Sequence, residues 1–482
     1  MKLSELLRGL DVLAMTADPE TEITGVSYDS RTTEPGNLYV AVVGYATDGH
    51  KYISGAVEKG ASVVLCQTVP EGKIPYVQVE DSRLALAKLG ANWFGHPAKE
   101  LTLIGVTGTN GKTTVTYLLK SVLEKTLGAK VGLIGTIQNM IGSEVIETER
   151  TTPESFEVQK LFRQMADAGC THAVMEVSSH ALYLHRVEDV RFKVGIFTNL
   201  TEDHLDFHGT MENYRKAKEI LFRQCETGVF NADDPAAAVM IASTGCKALT
   251  CSIEKEDADL CAHNLRLRSD RVEFDAVIGN EISRFRLGIP GKFSAYNALS
   301  VIGAACALGI PLASAAEALR SSHGVKGRVE VVPTPGKDYT VLIDYAHTPD
   351  GLENVLRSVR GFCRGRVIAV FGCGGDRDPF KRPIMGKIGV DLADLVVFTS
   401  DNPRTEDPDE ILRQIVVGAE STKTPYVVIE NRRAAIRWAM DHAKTDDIIV
   451  LAGKGHETYQ IIGREKTHLD EREEVAAHLA GN

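Results

Sequence analysis

The chain has 482 residues, of which 43% are hydrophobic and 25% charged, with a formal net charge of −11. That length accommodates about two to four domains with cores of their own, and the composition is that of an ordinary soluble globular protein. The acidic balance excludes a broad nucleic-acid surface or a face for anionic membranes, although a local basic pocket survives it.

The nine cysteines are scattered without paired short spacings, so reduced thiols in a cytosolic protein are expected, not a zinc or disulfide framework. The opening stretch MKLSELLRGLDVLAM lacks a continuous apolar signal core and no stretch approaches a membrane span. A cytoplasmic protein with no membrane insertion is the expectation.

Residues 1–97 read as a small α/β domain. Its clearest segment is Tyr28-Asp29-Ser30-Arg31, followed by Pro35-Gly36 and the apolar run Leu38 to Val43, which ends at Gly44. A turn, a buried strand and another turn fit this order. Ser30 and Arg31 could hold a ligand, or could equally be a structural cap and a surface ion pair.

Residues 98–327 alternate strand and helix, which favours a mainly parallel sheet wrapped by helices. Leu101 to Val106 suits a buried strand, while Val115, Leu118, Leu119, Val122 and Leu123 recur at helical spacing. The glycines between them place backbone N–H groups where they can converge on an anion. Lys112 would reach terminal phosphates and the Thr113 hydroxyl would hold Mg²⁺. Glycines at Gly105, Gly108 and Gly111 depart from the usual Walker spacing, so the loop is a variant. A turn that merely closes a sheet is the structural alternative.

Further along, Glu176 lies near the end of an apolar run in His172 to His180. It could face the same Mg²⁺ as Thr113, or be a solvated strand end. The run Val194 to Leu200 leads into Thr201 to Gly209, a probable loop in which two histidines and three carboxylates crowd together. Lys218 is the oddity. In the expected helix Met211 to Cys225 it shares a face with Tyr214, Ala217, Leu221 and Cys225. Burying a bare ammonium is costly, so the residue is either carbamylated, supplying two oxygens to a second metal, or snorkels to the rim. Hairpins are expected from Lys247 to Leu287, with Ser269-Asp270 as a turn. Helices follow, the first opened by Tyr296-Asn297-Ala298, and a boundary falls near Gly324 to Gly327.

Residues 328–482 alternate strand and helix again, giving a Rossmann-like domain. Val341 to Asp344, Val367 to Phe371, Val396 to Ser400 and Ile448 to Ala452 each end in a polar loop, including Gly372 to Asp378, Asp401-Asn402-Pro403-Arg404 and Gly453 to Glu457. The second glycine cluster lacks the dinucleotide fingerprint spacing, which argues against NAD. Several charged strand ends in one domain are how a polar small molecule is gripped.

Taken together in order and spacing, Thr107 to Thr114, Glu176 to His180, Glu202 to His208, Asp344 to Pro349 and Asp401 to Arg404 resemble the Mur ligases, and most closely the MurE-type branch that adds the third residue of the peptidoglycan stem peptide. The resemblance covers essentially the whole chain. It implies three domains, for the UDP end of the substrate, for ATP and for the incoming amino acid. It further implies that Gly108, Thr109, Asn110, Gly111, Lys112, Thr113 and Thr114 bind ATP phosphates and that Asn297, Arg328 and Asp344 contact the nucleotide. Thr113 and Glu176 would hold one Mg²⁺, and His204 with carbamylated Lys218 a second. The UDP-N-acetylmuramoyl dipeptide would meet Tyr28, Ser30, Tyr45, Ala46 and Thr47, then Thr151, Thr152, Ser178 and Arg186. Leu184 stands where some relatives have a glutamine.

The Asp401-Asn402-Pro403-Arg404 motif resembles that of ligases selecting meso-diaminopimelate, whose far end carries a carboxylate beside an ammonium. Arg404 can pair with that carboxylate in a bidentate fashion, whereas lysine has none to offer. Arg377, Gly453 and Glu457 match the rest of that pocket. The expected activity is ATP-dependent amide ligation to UDP-N-acetylmuramoyl-L-alanyl-D-glutamate, by a monomer using ATP and two Mg²⁺ ions. Three other classes stay open: a folylpolyglutamate synthetase, which fits the Tyr28 to Arg31 and Asp401 to Arg404 segments badly; a lysine-adding relative, which would lack Arg404; and a non-enzymatic nucleotide-binding regulator, which would need neither Glu176, His204 nor Lys218.

Overall fold

The computed structural model describes residues 1–44, 47–148, 150–322, 324–420 and 422–481. The chain divides into two compact units, Met1–Leu249 and Thr250–Asn482.

The first unit carries a five-stranded sheet in the order Val12–Met15, Tyr76–Val79, Val63–Cys66, Asn37–Val40, Gly25–Ser27, parallel except for its first strand. Asn37–Val40 and Val63–Cys66 are buried throughout, as strands covered on both faces must be. The helix Ser82–Trp93 starts where the Asp81 carboxylate accepts from the N–H groups of Arg83 and Leu84, at 2.8 and 3.1 Å.

Further along the same unit, strands run in the order Cys225–Asn231, Phe192–Phe197, Thr102–Thr107, His172–Glu176, Val131–Ile134, followed by the antiparallel ribbon Asn139–Ile141 and Glu144–Ile146. Thr102–Thr107 is flanked on both sides by parallel partners, with Glu176 in register with Val106 and Phe197 with Thr107. The ends of three strands therefore lie beside the glycine turn. Helix Lys112–Leu127 follows it, burying Val115, Leu118, Leu119, Val122 and Leu123 as their spacing requires, and it stops at Gly128, whose φ of +60° suits a helix C-terminus.

Two boundaries differ from expectation. The helix bearing Lys218 spans Met211–Arg223, because Cys225 pairs with Phe192 and opens a strand; Tyr214, Ala217 and Leu221 share the buried face with Lys218, but Cys225 does not belong to it. The acidic stretch is not wholly loop, since Leu205–His208 forms one short helix.

In the second unit the hairpin strands Leu260–Leu267, Val272–Ile278 and Glu281–Leu287 are antiparallel, and Arg268 N–H closes the turn on Arg271 carbonyl at 2.9 Å. Phe274 and Phe285 stack across the second pair with centroids 5.4 Å apart. Helix Lys292–Ala307 opens at Gly291, a turn earlier than Tyr296.

A six-stranded sheet follows, ordered Glu330–Val332, Thr340–Asp344, Ile448–Ala452, Val367–Phe371, Leu395–Phe398, Tyr426–Val428, with only its first strand antiparallel. Helices Pro349–Arg360, Lys381–Leu392 and Pro408–Val416 pack one face around Leu352, Met385 and Ile411. Arg432–His442 and Glu471–Leu479 cover the other around Ile436 and Val475. This doubly wound arrangement brings Asp344, Ala452, Phe371 and Phe398 together as strand carboxyl ends, where such sheets bind ligands. The α/β class, with a small N-terminal sheet, a mainly parallel sheet around the glycine loop and a Rossmann-like C-terminal sheet, matches the reading of the sequence. No helix among the described residues is long and apolar enough to cross a membrane.

Candidate active site

The glycine turn is a built cradle. Gly108 has φ +148°, and a Cβ there would lie 1.9 Å from the Thr198 hydroxyl oxygen; Gly111, at φ +87°, opens the helix. The neighbouring strand end clamps the loop: Thr109 and Asn110 N–H groups donate to the Asn199 carbonyl and side-chain oxygen, each at 2.9 Å, and the Thr198 hydroxyl donates to the Asn110 carbonyl at 2.6 Å. The Thr109 hydroxyl also meets the Tyr214 phenol at 3.2 Å. Lys112 donates to the carbonyls of Gly108 and Thr109, at 2.9 and 2.8 Å.

Glu176 is no solvated strand end. It is 0% exposed and accepts from the Thr113 hydroxyl at 3.1 Å and from both the N–H and the hydroxyl of Thr136 at 2.9 Å. Thr114 is buried in the same first helical turn. A glycine cradle and a lysine suit a triphosphate, and a hydroxyl bonded to a buried carboxylate offers the hard oxygen donors that suit its divalent cation.

Lys218 does not snorkel. At 1% exposed it donates to the Gly108 carbonyl at 2.9 Å and lies 4.3 Å from the centre of the Tyr214 ring. Burial, and then the neighbouring Lys112, push its pKa well below the ordinary lysine value, with Asp203 opposing. His204, at φ +53° and half exposed, sits 3.4 Å from the Asp203 carboxylate and edge-on to the rings of His180 and Tyr214, at 4.8 and 6.1 Å. Lys218 and His204 thus border one tyrosine ring. Among the described residues no three His, Cys, Asp or Glu side chains gather as a ready metal cluster.

Thr151, Thr152, Ser178 and Arg186 are drawn around Glu176. The Thr151 and Thr136 hydroxyls are 3.0 Å apart; the Thr152 hydroxyl donates to the Glu176 carbonyl at 2.8 Å and accepts from Ser178 N–H at 3.2 Å; Arg186 donates to the Thr152 carbonyl at 3.2 Å. Tyr28 is held by Glu157, and burial, then that carboxylate, raise its phenol's pKa. The Thr47 hydroxyl meets the Tyr52 phenol at 3.2 Å. Ser30 lies in the turn beyond Gly25–Ser27, and Arg31 makes an exposed ion pair with Asp29 at 2.7 Å, the bland reading of that motif. Tyr45 and Ala46 lie outside the described residues.

In the second unit, the Asp344 carboxylate accepts from Val329 and Ala346 N–H at 2.8 and 2.9 Å; burial raises its pKa, and Arg328 pulls it back. The Arg328 guanidinium lies 5.4 Å from the Tyr345 ring centre. Asn297 is buried on the helix Lys292–Ala307, and among the described residues no hydrogen bond links it to Arg328 or Asp344.

Gly453 N–H donates to the Asp344 carbonyl at 3.0 Å, joining that site to the polar loops alongside. Lys454, wholly buried, donates to Asp401, Asn402 and Glu457 at 3.3, 3.0 and 3.2 Å, while Asn402 donates to Glu457 at 3.0 Å. Arg404, at φ +51°, donates to the Gly375 carbonyl at 2.8 Å, and a Cβ on Gly375 would lie 1.9 Å from the Pro403 carbonyl oxygen. Arg377 projects from the same glycine loop, exposed, and donates to the Asp376 carbonyl at 3.2 Å. The two guanidiniums thus rest on carbonyls of the glycine loop, while Asp401 and Glu457 are held by Lys454, charges of both signs on neighbouring strand ends that suit a zwitterion.

Motif reading missed Thr136, Thr198, Asn199, Tyr214 and Lys454. Their one signal is position, since Thr136, Thr198, Asn199 and Lys454 each follow the carboxyl end of a strand adjoining a motif strand.

Fold and site define a nucleotide-binding α/β protein of the phosphate-loop class, with a second polar site on a doubly wound sheet. The Mur ligase family's catalytic domain matches residues 22–94, the Mur ligase middle domain 106–305, and the Mur ligase glutamate ligase domain 327–455; the chain belongs to the Mur ligase family. It is 50% identical over 481 residues to the UDP-N-acetylmuramoyl-L-alanyl-D-glutamate–2,6-diaminopimelate ligase of Clostridium botulinum, covering 98% of this chain and 99% of that one. It is 49% identical to the ligase of the same name from Caldanaerobacter subterraneus, over 100% and 99% of the two chains. A solved structure bearing that name superposes with a TM-score of 0.75 at 30% identity, covering 100% of this chain and 99% of that one. The folylpolyglutamate synthase of Mycobacterium tuberculosis, at 18% identity and TM-score 0.59 over 77% and 91%, shares the fold alone.

Proposed function

We propose that the protein is an ATP-dependent amide ligase that joins meso-diaminopimelate to UDP-N-acetylmuramoyl-L-alanyl-D-glutamate, releasing ADP and phosphate, in cytoplasmic synthesis of peptidoglycan precursors. The observation that carries this reading is that one chain holds both the glycine cradle over Thr113 and Glu176, in its first unit, and the charged loops with Arg377, Asp401, Asn402, Arg404, Lys454 and Glu457, in its second. Residues 1–97 would take the UDP end of the substrate, 98–327 ATP, and 328–482 the incoming amino acid.

The γ-phosphoryl group of ATP passes to a carboxylate of the D-glutamyl residue, giving an acyl phosphate and releasing ADP. The amine of diaminopimelate attacks that carbonyl, and the tetrahedral intermediate collapses with loss of phosphate and of the amine's proton. Both steps crowd negative charge onto neighbouring oxygens, so the chain's task is electrostatic stabilisation and in-line positioning. Lys112 and the loop N–H groups hold the phosphates, and Thr151, Thr152, Ser178 and Arg186 orient the dipeptide. Asn297, Arg328 and Asp344 hold the nucleotide. Arg404 pairs with the distant carboxylate of diaminopimelate, and Asp401, Asn402 and Glu457 receive its ammonium, beside Arg377 and Gly453.

Thr113 and Glu176 would hold one Mg²⁺, and His204 with a carbamylated Lys218 a second; bound there, the ions would supply charge neutralisation among the phosphates and the carboxylate. Lys218 serves as a ligand only after carbamylation. Its low pKa supports this, because the neutral amine is the form that combines with carbon dioxide. The protein acts as a monomer, a point that sedimentation velocity checks.

The test is phosphate release from ATP with UDP-N-acetylmuramoyl-L-alanyl-D-glutamate, comparing meso-diaminopimelate with L-lysine. Release with diaminopimelate alone is expected. Release with lysine instead would leave the mechanism standing but remove the role of Arg404, and release with neither would reject the reading.

A further inference from the structure

Glu154 follows Thr151-Thr152-Pro153 directly and precedes the helix Ser155–Asp167. Its side chain is 13% exposed and is surrounded by three guanidiniums: Arg150 at 2.7 Å and Arg186 at 2.8 Å on one oxygen, Arg83 at 3.3 Å on the other. Arg150 is largely solvated, but Arg83 and Arg186 are as buried as the glutamate itself.

Each buried arginine has a second engagement. Arg83, in the first turn of helix Ser82–Trp93, donates through Nε to the Val43 carbonyl at 3.0 Å, beyond the strand Asn37–Val40 of the first sheet. Arg186 donates to the Thr152 carbonyl at 3.2 Å, and the Thr152 hydroxyl donates to the Glu176 carbonyl at 2.8 Å. A continuous line of hydrogen bonds therefore runs from Val43 through Arg83, Glu154, Arg186 and Thr152 to the buried carboxylate residue beneath the phosphate loop.

Within that line Glu154 is the carboxylate that stands between the two buried guanidiniums. Burial disfavours the charged Arg186, and Glu154 is the group that opposes this most. Glu157 cannot stand in, because burial raises its own pKa and it is engaged with Tyr28. Without Glu154, two desolvated guanidiniums would face each other with no counterion, and the backbone at Val43 and Thr152 would lose its fixed point.

We propose that Glu154 is a positioning residue for the nucleotide-sugar peptide: through Arg83 and Arg186 it sets the backbone at Val43 and the pair Thr151-Thr152 against one substrate, in register with the phosphate loop. The proposal rests on the ligase reading above.

The experiment is steady-state kinetics of full-length Glu154→Gln, Glu154→Asp and Arg83→Met at saturating diaminopimelate, varying the nucleotide-sugar peptide and ATP separately, with thermal unfolding of each variant. Glu154→Gln should raise the KM for the nucleotide-sugar peptide by about tenfold to a hundredfold while the KM for ATP moves less than about twofold. Glu154→Asp should recover part of that loss. Arg83→Met should give the same split, and the double variant less than the product of the two. An unchanged KM for the nucleotide-sugar peptide in Glu154→Gln overturns the proposal. So do equal rises in both KM values with a matching fall in Tm, which mark a merely structural ion pair; should Glu154→Gln fail to fold, Arg83→Met decides by the same split. Parent protein that releases no phosphate rejects the ligase reading and this proposal with it, whereas an active parent with an insensitive Glu154→Gln rejects the role of Glu154 alone.

Discussion

Lys218 and Arg404 place opposite demands on a basic side chain. Lys218 is buried with a carbonyl and an aromatic ring as neighbours, and its amine is driven toward the neutral form. Lys218→Ala should lower turnover by about a hundredfold or more, in line with the loss of a metal ligand, and a short carboxylic acid should restore part of it by replacing the carbamate oxygens. Full turnover in the unrescued variant would remove the metal role. Arg404 is oriented by the Gly375 carbonyl. Arg404→Ala should raise the KM for diaminopimelate about a hundredfold and leave that for ATP nearly unchanged; parallel changes in the two would count against the pocket.

Among elements, the glycine loop and the central strand Ile448–Ala452 depend on fixed backbone. Gly108→Ala would drive a methyl group into Thr198, at a φ that favours glycine, so the loop must move. Nucleotide affinity should fall by more than about tenfold, with about 1–3 kcal/mol lost in stability, read by equilibrium binding and thermal unfolding. Ahead of the strand, the nearly buried Asp447 accepts from the Arg366 side chain at 2.6 Å and from Arg366 and Lys444 N–H at 2.7 and 2.8 Å. Burial pushes its pKa up, but these hydrogen bonds outweigh it and hold the carboxyl below the usual 3.8. Its folded pKa is depressed, so the stability it contributes is full above that usual value and is lost as pH falls through the lower folded one. Asp447→Asn should cost about 1–3 kcal/mol near neutral pH and flatten the steepest part of the acid-unfolding curve.

For the molecule as a whole, a nucleotide that binds only the folded chain must raise its stability. At one hundred times its Kd, ATP with Mg²⁺ should add about 2.7 kcal/mol, seen as a rise in Tm, and Lys112→Ala should remove most of that rise. An unchanged shift in the variant would mean that Lys112 is not a phosphate ligand. The acidic net charge of −11 does not oppose anion binding here, because Lys112 stands over the glycine turn at the start of its helix and sets the local field.

Local pattern was enough to read much of this from the amino-acid order. The strand and helix around the glycine loop, the hairpins near Ser269-Asp270 and the charged ends of the C-terminal strands follow from side-chain period and from glycine's backbone freedom, which act over a few residues. The company each motif keeps was not legible in that way. Whether Glu176 faced solvent or Thr113, and whether Lys218 reached the rim, depended on sheet register and on which strand ends adjoin. Thr136, Thr198, Tyr214, Lys454 and Glu154 carry no motif of their own; they matter because parallel pairing and helix packing bring residues dozens of positions apart within hydrogen-bond reach. Spacing along the chain does not encode those distances, whereas burial and the pairing of polar groups in the folded chain do.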